Sequence, residues 1–318
     1  TLSGSLRSDA SNLITDDPKY RYAPFWSVGG SWQLGKEEFM KDITWLDLLT
    51  VRTTFGYNGN VDKSTTFKPL INPSASPSTL TNEYTATMAS YGNPTLRWER
   101  TRTFDVGVDF SALNNRLHGK IDLYQKHSLD LIASVSLPAV QGTSSMKMNS
   151  GEIDNSGIEL EVGSTLPINR DIIWEGSLMF AWNRNRITSL NYYPSYAYQL
   201  VYSGGSYAWM EGYDMNTMWS YKYGGIVNRG TEAVPDWQPT LIGKDEVQQT
   251  FASWPSGDAM NISYNMGTTV APVNIAFSTS LKVYDFDISL MLTGKFGHVF
   301  RRESFNYPGI SGRSIPNA

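Results

Sequence analysis

Seven stretches of the chain alternate apolar and polar residues with a period of two over eight or more positions, and the connections between them are alternately short and long. In one stretch Phe104, Val106, Val108 and Phe110 share a face opposite Thr103, Asp105, Gly107 and Asp109, because successive strand side chains point to opposite sides of a sheet. Another sets Phe286, Ile288, Leu290 and Leu292 against Asp287, Ser289, Met291, Thr293 and Lys295. Sandwich strands usually run about 5 to 6 residues, whereas a tilted crossing of a hydrocarbon layer takes roughly 9 to 11. The stretches here are of the longer kind and predict an all-β fold, part of a membrane β-barrel.

About nine antiparallel strands follow from the pattern. The first is Thr1 to Ala10. The second carries Trp26, Val28, Trp32 and Leu34 on one face; a helix-like stretch, Glu37 to Trp45, precedes the third, with Leu49, Val51, Phe55 and Tyr57 outward. The fourth and fifth turn through Leu113-Asn114-Asn115, and the sixth and seventh through Pro167 to Arg170. In the seventh, Trp174 and Trp182 bracket Leu178 and Phe180, as an interfacial girdle does. The eighth and ninth turn at Val283 to Asp285. Long connections are predicted at Ser11–Ala23, Asn58–Leu96, Leu129–Gly151 and, largest of all, residues 189–272. Outer-membrane barrels have short periplasmic turns and longer extracellular loops, so the connections near residues 36, 114, 168 and 284 are predicted to be periplasmic and the long ones extracellular. A soluble multi-sheet β protein is the alternative, and it leaves the outward Trp, Phe and Leu rows needing a second layer.

Composition is consistent with a barrel. The chain is 40% hydrophobic and 18% charged, with a mean hydropathy of -0.33, and no apolar run approaches the roughly 18 residues of a membrane helix. In a barrel only alternate residues face lipid. The net charge of -4 argues against a nucleic-acid surface, which needs a basic patch, and zero Cys removes disulfide frameworks and thiolate metal sites.

Short motifs then add to the periodicity. Arg52-Thr53-Thr54-Phe55-Gly56-Tyr57-Asn58-Gly59-Asn60 resembles the R-x-S-(F/Y)-G-x-x-G-N strand end of the SusC-like (RagA-like), TonB-linked outer-membrane transporters of Bacteroidota. Asn93-Pro94-Thr95-Leu96-Arg97-Trp98-Glu99 is similar to that family's N-P-x-L-x-W-E, and Asn155-Ser156-Gly157-Ile158-Glu159-Leu160 to its N-x-G-(I/V/F)-E-(L/V). The order and spacing match over residues 1 to about 190 and more weakly from Trp219 to Gly297. The acidic D-x-D-G-D-G string found late in many such barrels is missing; Lys244 to Asn265 occupies that region. The resemblance implies that residues 1–318 are part of the barrel of a roughly 22-stranded transporter, the plug domain and closing strands lying outside this sequence. It implies TonB-dependent import of oligosaccharides or oligopeptides across the outer membrane. The implied partners are a SusD-like surface lipoprotein, the inner-membrane TonB complex and outer-membrane lipid, with a dimer of transporter–lipoprotein pairs allowed.

Catalysis has no support in the sequence. Glu159 and Glu161 are two carboxylates on one strand face, roughly 7 Å apart, near glycosidase spacing, but no pocket is predicted to raise either pKa. His118, His127 and His298 have no metal-ligand spacing, and neither a cofactor nor a metal site is predicted. Arg52, Asp105, Asp109, Lys120, Asp122, Glu159 and Glu161 fall on inward positions and are predicted to line a wet lumen. The 189–272 loop is rich in aromatics, and Tyr192, Tyr193, Tyr196, Tyr207, Trp209 and Trp219 are the candidates for contact with substrate or partner. The same residues equally suit a small core that keeps a long loop folded. A passive porin and a soluble carbohydrate-binding or adhesive β protein are the rival functions.

Overall fold

The computed structural model describes residues 1–12, 15, 17–62, 66–136, 145–191, 193–194, 196–201, 209–250 and 259–302. In chain order, β1 (Leu2–Ala10), β2 (Tyr22–Gln33) and β3 (Leu46–Asn60) are followed by a short hairpin, β4 (Leu70–Pro73) and β5 (Ala86–Ser90). Next come the long strands β6 (Glu99–Ala112), β7 (Leu117–Ser136), β8 (Ser145–Pro167) and β9 (Ile172–Ser189). Short strands β10 (Thr217–Ser220), β11 (Tyr223–Asn228), β12 (Trp237–Ile242), β13 (Gln248–Thr250) and β14 (Tyr264–Thr268) lie in the largest loop, before β15 (Val273–Val283) and β16 (Phe286–Phe296). The main sheet has nine strands in the order β1-β2-β3-β6-β7-β8-β9-β15-β16. All its neighbours are antiparallel, so successive connections fall at alternate ends.

Register aligns the greasy residues of all these strands on one face. Trp32, Val51, Val108, Ile121, Leu160, Phe180 and Ile275 stand in one line across seven strands. Leu49, Phe110, Gly119, Val162, Leu178, Phe277 and Leu292 form the next. These side chains are not capped by a second layer: Phe104 is 47% exposed, Leu178 42% and Leu292 56%. A slip of one residue in any pair would turn a row into the opposite face, so lipid on one side and water on the other specify the register.

The apolar band does not run square to the strands. Trp26 tops it on β2 and is level in register with Arg102 of β6 and Arg186 of β9, yet the band stops at Phe104 on β6 and at Trp182, four residues short of Arg186, on β9. At the other border Trp32 ends the band on β2, level with Phe180, while on β9 it continues six residues further to Trp174. A slide of roughly 13 to 20 Å across five interstrand spacings, together about 24 Å, corresponds to strands tilted by about 30 to 40° relative to a level band. Barrel strands tilt by about that much in a membrane.

The short turns are built to be tight. Leu113, Asn114 and Asn115 adopt left-handed φ values of 58°, 57° and 60°, tolerable for Asn but strained for Leu. Backbone bonds hold them: Leu113 N donates to Trp45 O at 2.7 Å and Asn115 N to Asp47 Oδ2 at 2.8 Å. The helix-like stretch from Glu37 holds one short 3-10 turn, Glu38–Met40, and another, Leu34–Lys36, comes just before it, with Trp32 Nε1 bonded to Glu37 Oε1 at 2.8 Å.

One predicted loop is largely strand. The connection expected from Leu129 to Gly151 is instead the continuation of β7 and β8 as a ribbon. Asp130 sits at φ 58° in a bulge, where the register of the β7–β8 ladder shifts between Ser128 and Leu131 and again between Leu131 and Ile132. A bulge resets the alternation that marks a strand. That is why periodicity lost the element there.

Candidate functional site

On the face opposite the apolar rows the long polar side chains interlock. Arg52 of β3 donates from Nε to Asp109 Oδ2 at 2.6 Å and from Nη2 to Asp109 Oδ1 at 3.1 Å, and also from Nη2 to Asp122 Oδ1 of β7 at 2.9 Å. Lys120 Nζ meets Glu161 Oε2 at 3.0 Å. Asp109, Asp122 and Arg52 are only partly exposed, so these charge-assisted bonds are shielded more than surface pairs are. Glu159 pairs in register with Asp122, and Asp105 lies between Thr54 and Tyr124; neither makes an ion pair with the described residues. A groove of about 420 Å³ runs beside Lys120, Glu159, Glu161, Asn274, Thr293 and Lys295. One level nearer the long loops, Asn183 Nδ2 donates to Tyr124 Oη at 2.8 Å.

Above this face the Asn93–Glu99 motif works as a clasp. The Asn93 side chain receives Thr95 N at 3.0 Å and donates to Lys147 O at 3.2 Å, while Leu96 is fully buried. Arg97 N donates to Asn149 Oδ1 at 2.9 Å, and Asn149 Nδ2 returns a bond to Arg97 O at 2.8 Å. Trp98 Nε1 donates to Arg21 O at 3.3 Å, with its ring edge-on to Phe25 at 5.7 Å. Glu99 Oε1 accepts from Ile132 N at 2.9 Å. Arg97 and Arg100 converge on the two oxygens of Asp130, at the bulge of β7. Burial pushes the Asp130 carboxyl up, but hydrogen bonds and charge from Arg97 and Arg100 outweigh it and hold the group below the usual carboxylate range. Asp130 and Asn149 were not among the residues singled out in sequence, because their role depends on a bulge and on partners far along the chain.

The largest loop folds as a small domain. Leu200, Val201, Met210 and Trp219 form a buried cluster with Tyr213, Tyr221 and Met260 against it, and Ala197, Ala259 and Ile262 form another. Helix α1 (Ala197–Val201) and helix α2 (Ala259–Ile262) supply most of the aliphatic members. A third cluster, Ala133, Ile187 and Leu190 with Ile153, Trp209 and Met215, ties the loop to β7, β8 and β9. Ile153 and Ile187 have the parity of Glu159 and Ala181, so the loop settles on the polar side of the sheet. Met215 N donates to Asn185 Oδ1 at 3.0 Å, and Asn185 Nδ2 to Asn155 Oδ1 at 2.7 Å.

The aromatic candidates therefore divide. Trp219 is 1% exposed and packs edge-on to Tyr213 at 4.8 Å, which makes it loop core and removes it from the contact surface. Trp209 is partly buried against Ile187. Tyr193 is 70% exposed, and Tyr196 stacks on Tyr198 at 5.5 Å and 19° with both rings facing solvent. Tyr192 and Tyr207 lie outside the described residues. Tyr223 and Trp237 are exposed aromatics in the same loop. Of the histidines, His127 contacts Asp154 through Nδ1 and stands 3.9 Å from Glu152. Among the described residues no group of three or more His, Cys, Asp or Glu is placed to hold a metal ion.

An antiparallel sheet with a tilted greasy band on one face, ion-paired polar rows on the other and folded loops at one end is a wall of an outer-membrane-type β-barrel. Over residues 1–289 the chain matches the family model "TonB dependent receptor-like, beta-barrel", and it belongs to that family. It is 24% identical over 309 residues to TonB-dependent receptor P3 of Formosa agariphila, covering 92% of this chain and 30% of the relative. It is 30% identical over 192 residues to TonB-dependent receptor SusC of Bacteroides thetaiotaomicron, covering 58% of this chain and 19% of the relative. Its fold is similar to the RagAB peptide importer in the open-open state, with a TM-score of 0.74 and 22% identity over 93% of this chain and 31% of that one. The closed-closed state gives a TM-score of 0.73 and 23% identity, covering 93% and 32%. The chain thus spans less than a third of the length of these relatives, and the SusC-like resemblance of the motifs is borne out.

Proposed function

We propose that this chain forms part of the wall of an active importer that takes oligosaccharides or oligopeptides across the outer membrane of a Bacteroidota-like cell. The observation that carries the reading is the pairing, on nine strands, of a continuous uncovered apolar face with an opposite face held by Arg52–Asp109–Asp122 and Lys120–Glu161. The first suits lipid and the second a wet interior. In this reading the long-loop end is extracellular. Residues 189–272 are a rim domain there; Arg52, Asp105, Asp109, Lys120, Asp122, Glu159 and Glu161 face the lumen, and the exposed Tyr193 and Tyr196 are contact residues for substrate or partner. A SusD-like lipoprotein closes over the mouth, and the TonB complex supplies the energy. Similarity to a protein named TonB-dependent receptor SusC supports the dependence on TonB, and similarity to the RagAB peptide importer supports import and the oligopeptide class; the lipoprotein partner and the oligosaccharide class follow from the SusC-like motifs.

The full-length protein, expressed in a strain depleted of its own homologues, is expected to take up labelled oligosaccharide or oligopeptide mixtures only while TonB is present and the inner-membrane proton gradient is intact. Uptake that continues at the same rate after collapse of the gradient would make the protein a passive porin.

A further inference from the structure

On the apolar face, the border of the greasy band at the long-loop end is not neutral. Arg102 is the next outward residue after Phe104 on β6, and Arg184 and Arg186 are the next two after Trp182 on β9. Register places Arg102, His127, Asp154 and Arg186 in one line across four strands, with Arg184 beside Ser156 one level nearer the band. All three arginines are exposed, and none makes a salt bridge with the described residues. The acidic groups of this patch are otherwise engaged: Asp154 and Glu152 face His127, and Asp130 is held by Arg97 and Arg100. The core of the loop domain sits on the other side of the sheet, where Ile153 and Ile187 are buried, and its Gly212–Tyr213 segment pairs with the β9 edge at Ile187, bringing Gly212 beside the Arg186 guanidinium, which stays exposed.

Each arginine stands roughly 7 to 13 Å beyond the last apolar residue of its strand, which is the depth of headgroups next to a hydrocarbon layer roughly 30 Å thick. Guanidinium groups bind phosphate in a fork that no neutral headgroup satisfies. We infer that Arg102, Arg184 and Arg186 form a seat for phosphate-bearing lipid of the leaflet at the long-loop end, which in an outer membrane is the phosphorylated glycolipid layer. Charge complementarity and continuity with the lipid-facing band select this occupant. The inference rests on the barrel orientation proposed above and not on import, so retained lipid without uptake would overturn only the import reading.

The test uses the full-length protein reconstituted in phosphatidylcholine vesicles containing lipid A, extracted gently and weighed by native mass spectrometry. The wild type is expected to retain lipid A and to release it as salt rises, since screening weakens exposed charge pairs. Arg102→Ala/Arg184→Ala/Arg186→Ala is expected to retain roughly a hundredfold less, given about fivefold for each of three basic residues near an anionic surface. The triple Lys variant should keep part of the binding, and lipid A stripped of its phosphates should bind the wild type no better than it binds the Ala variant. If the triple Ala variant does not insert, Arg184→Gln alone and the salt dependence of the wild type carry the test. Equal retention by wild type and arginine variants, or equal retention of phosphorylated and dephosphorylated lipid A, overturns the inference.

Discussion

Arg52 and Asp122 belong to strands separated by β6, yet Arg52 Nη2 lies 2.9 Å from Asp122 Oδ1. The bridge exists because Gly107, the residue between them in register, has no side chain: a Cβ there would stand 2.7 Å from Arg52 Nη2. The same device recurs one level away, where Tyr124 of β7 reaches over Gly157 of β8 to Asn183 of β9. Polar ties that skip a strand brace the wall against shear between neighbours.

Gly107→Ala is therefore expected to displace the guanidinium from Asp122 while leaving its bond to Asp109. The loss should be about 1 kcal/mol, as for a partly exposed ion pair. The thermal midpoint of the heat-modifiable gel shift of the full-length barrel measures it. In an Asp122→Asn background the same substitution should cost almost nothing, and an unchanged cost in both backgrounds would show that the bridge contributes no stability.

The clasp at Asp130 has a pH signature. Its folded pKa is depressed by Arg97 and Arg100, so its contribution to stability is full above the unfolded value of about 3.9 and is lost as pH falls through the lower folded value. Protease resistance of β7, β8 and the Asn93–Glu99 segment should decline in that acidic window. Asp130→Asn should lower resistance at neutral pH, by about 2 kcal/mol for two arginines left short of a partner, and should flatten the acid dependence. An acid profile unchanged by the substitution would place the acid-sensitive group elsewhere.

The fold was legible where physics imposes period two. Rows such as Phe104 to Phe110 and Phe286 to Leu292 must alternate because lipid lies on one side and water on the other, and the spacing of short and long connections follows from hairpin topology. The polar rows Arg52, Asp109, Asp122, Lys120 and Glu161 could be placed on one face, but which carboxylate meets Arg52 depends on register and on Gly107 in the strand between. The upper parts of β7 and β8 were hidden by the bulge at Asp130. In the loop, composition identifies the aromatics but not their packing: Trp219 and Trp237 read alike in sequence, while one is buried and the other is 66% exposed.

That difference sets opposite expectations for two Trp substitutions. Trp219→Ala removes a fully buried ring beside Leu200, Val201 and Tyr213 and should destabilise the loop domain by about 3 to 5 kcal/mol. Trp237→Ala should change stability by less than about 0.5 kcal/mol. Hydrogen exchange across residues 209–250 in the intact protein distinguishes them, and equal protection in the two variants would mean that the loop does not depend on this core.

Neighbouring positions on β9 test which face meets lipid. Phe180 lies in the apolar line with Leu160 and Ile275, whereas Ala181 pairs with Glu159 on the opposite face beside the Lys120 groove. An arginine at Phe180 must hold its charge inside the band, one level from its Trp182 border, at a cost of up to about 2 to 4 kcal/mol, the bilayer-midplane figure. An arginine at Ala181 finds water and the Glu159 carboxylate, which makes no ion pair with the described residues, so Ala181→Arg should fold into vesicles with nearly wild-type yield and Phe180→Arg should not. The contrast should shrink as Phe180→Arg is replaced by substitutions at Trp182 or Trp174, which bracket the band and can lift a long cationic side chain to the interface. If Phe180→Arg inserts as well as Ala181→Arg, the greasy rows do not face lipid, and the barrel wall must be packed against protein instead.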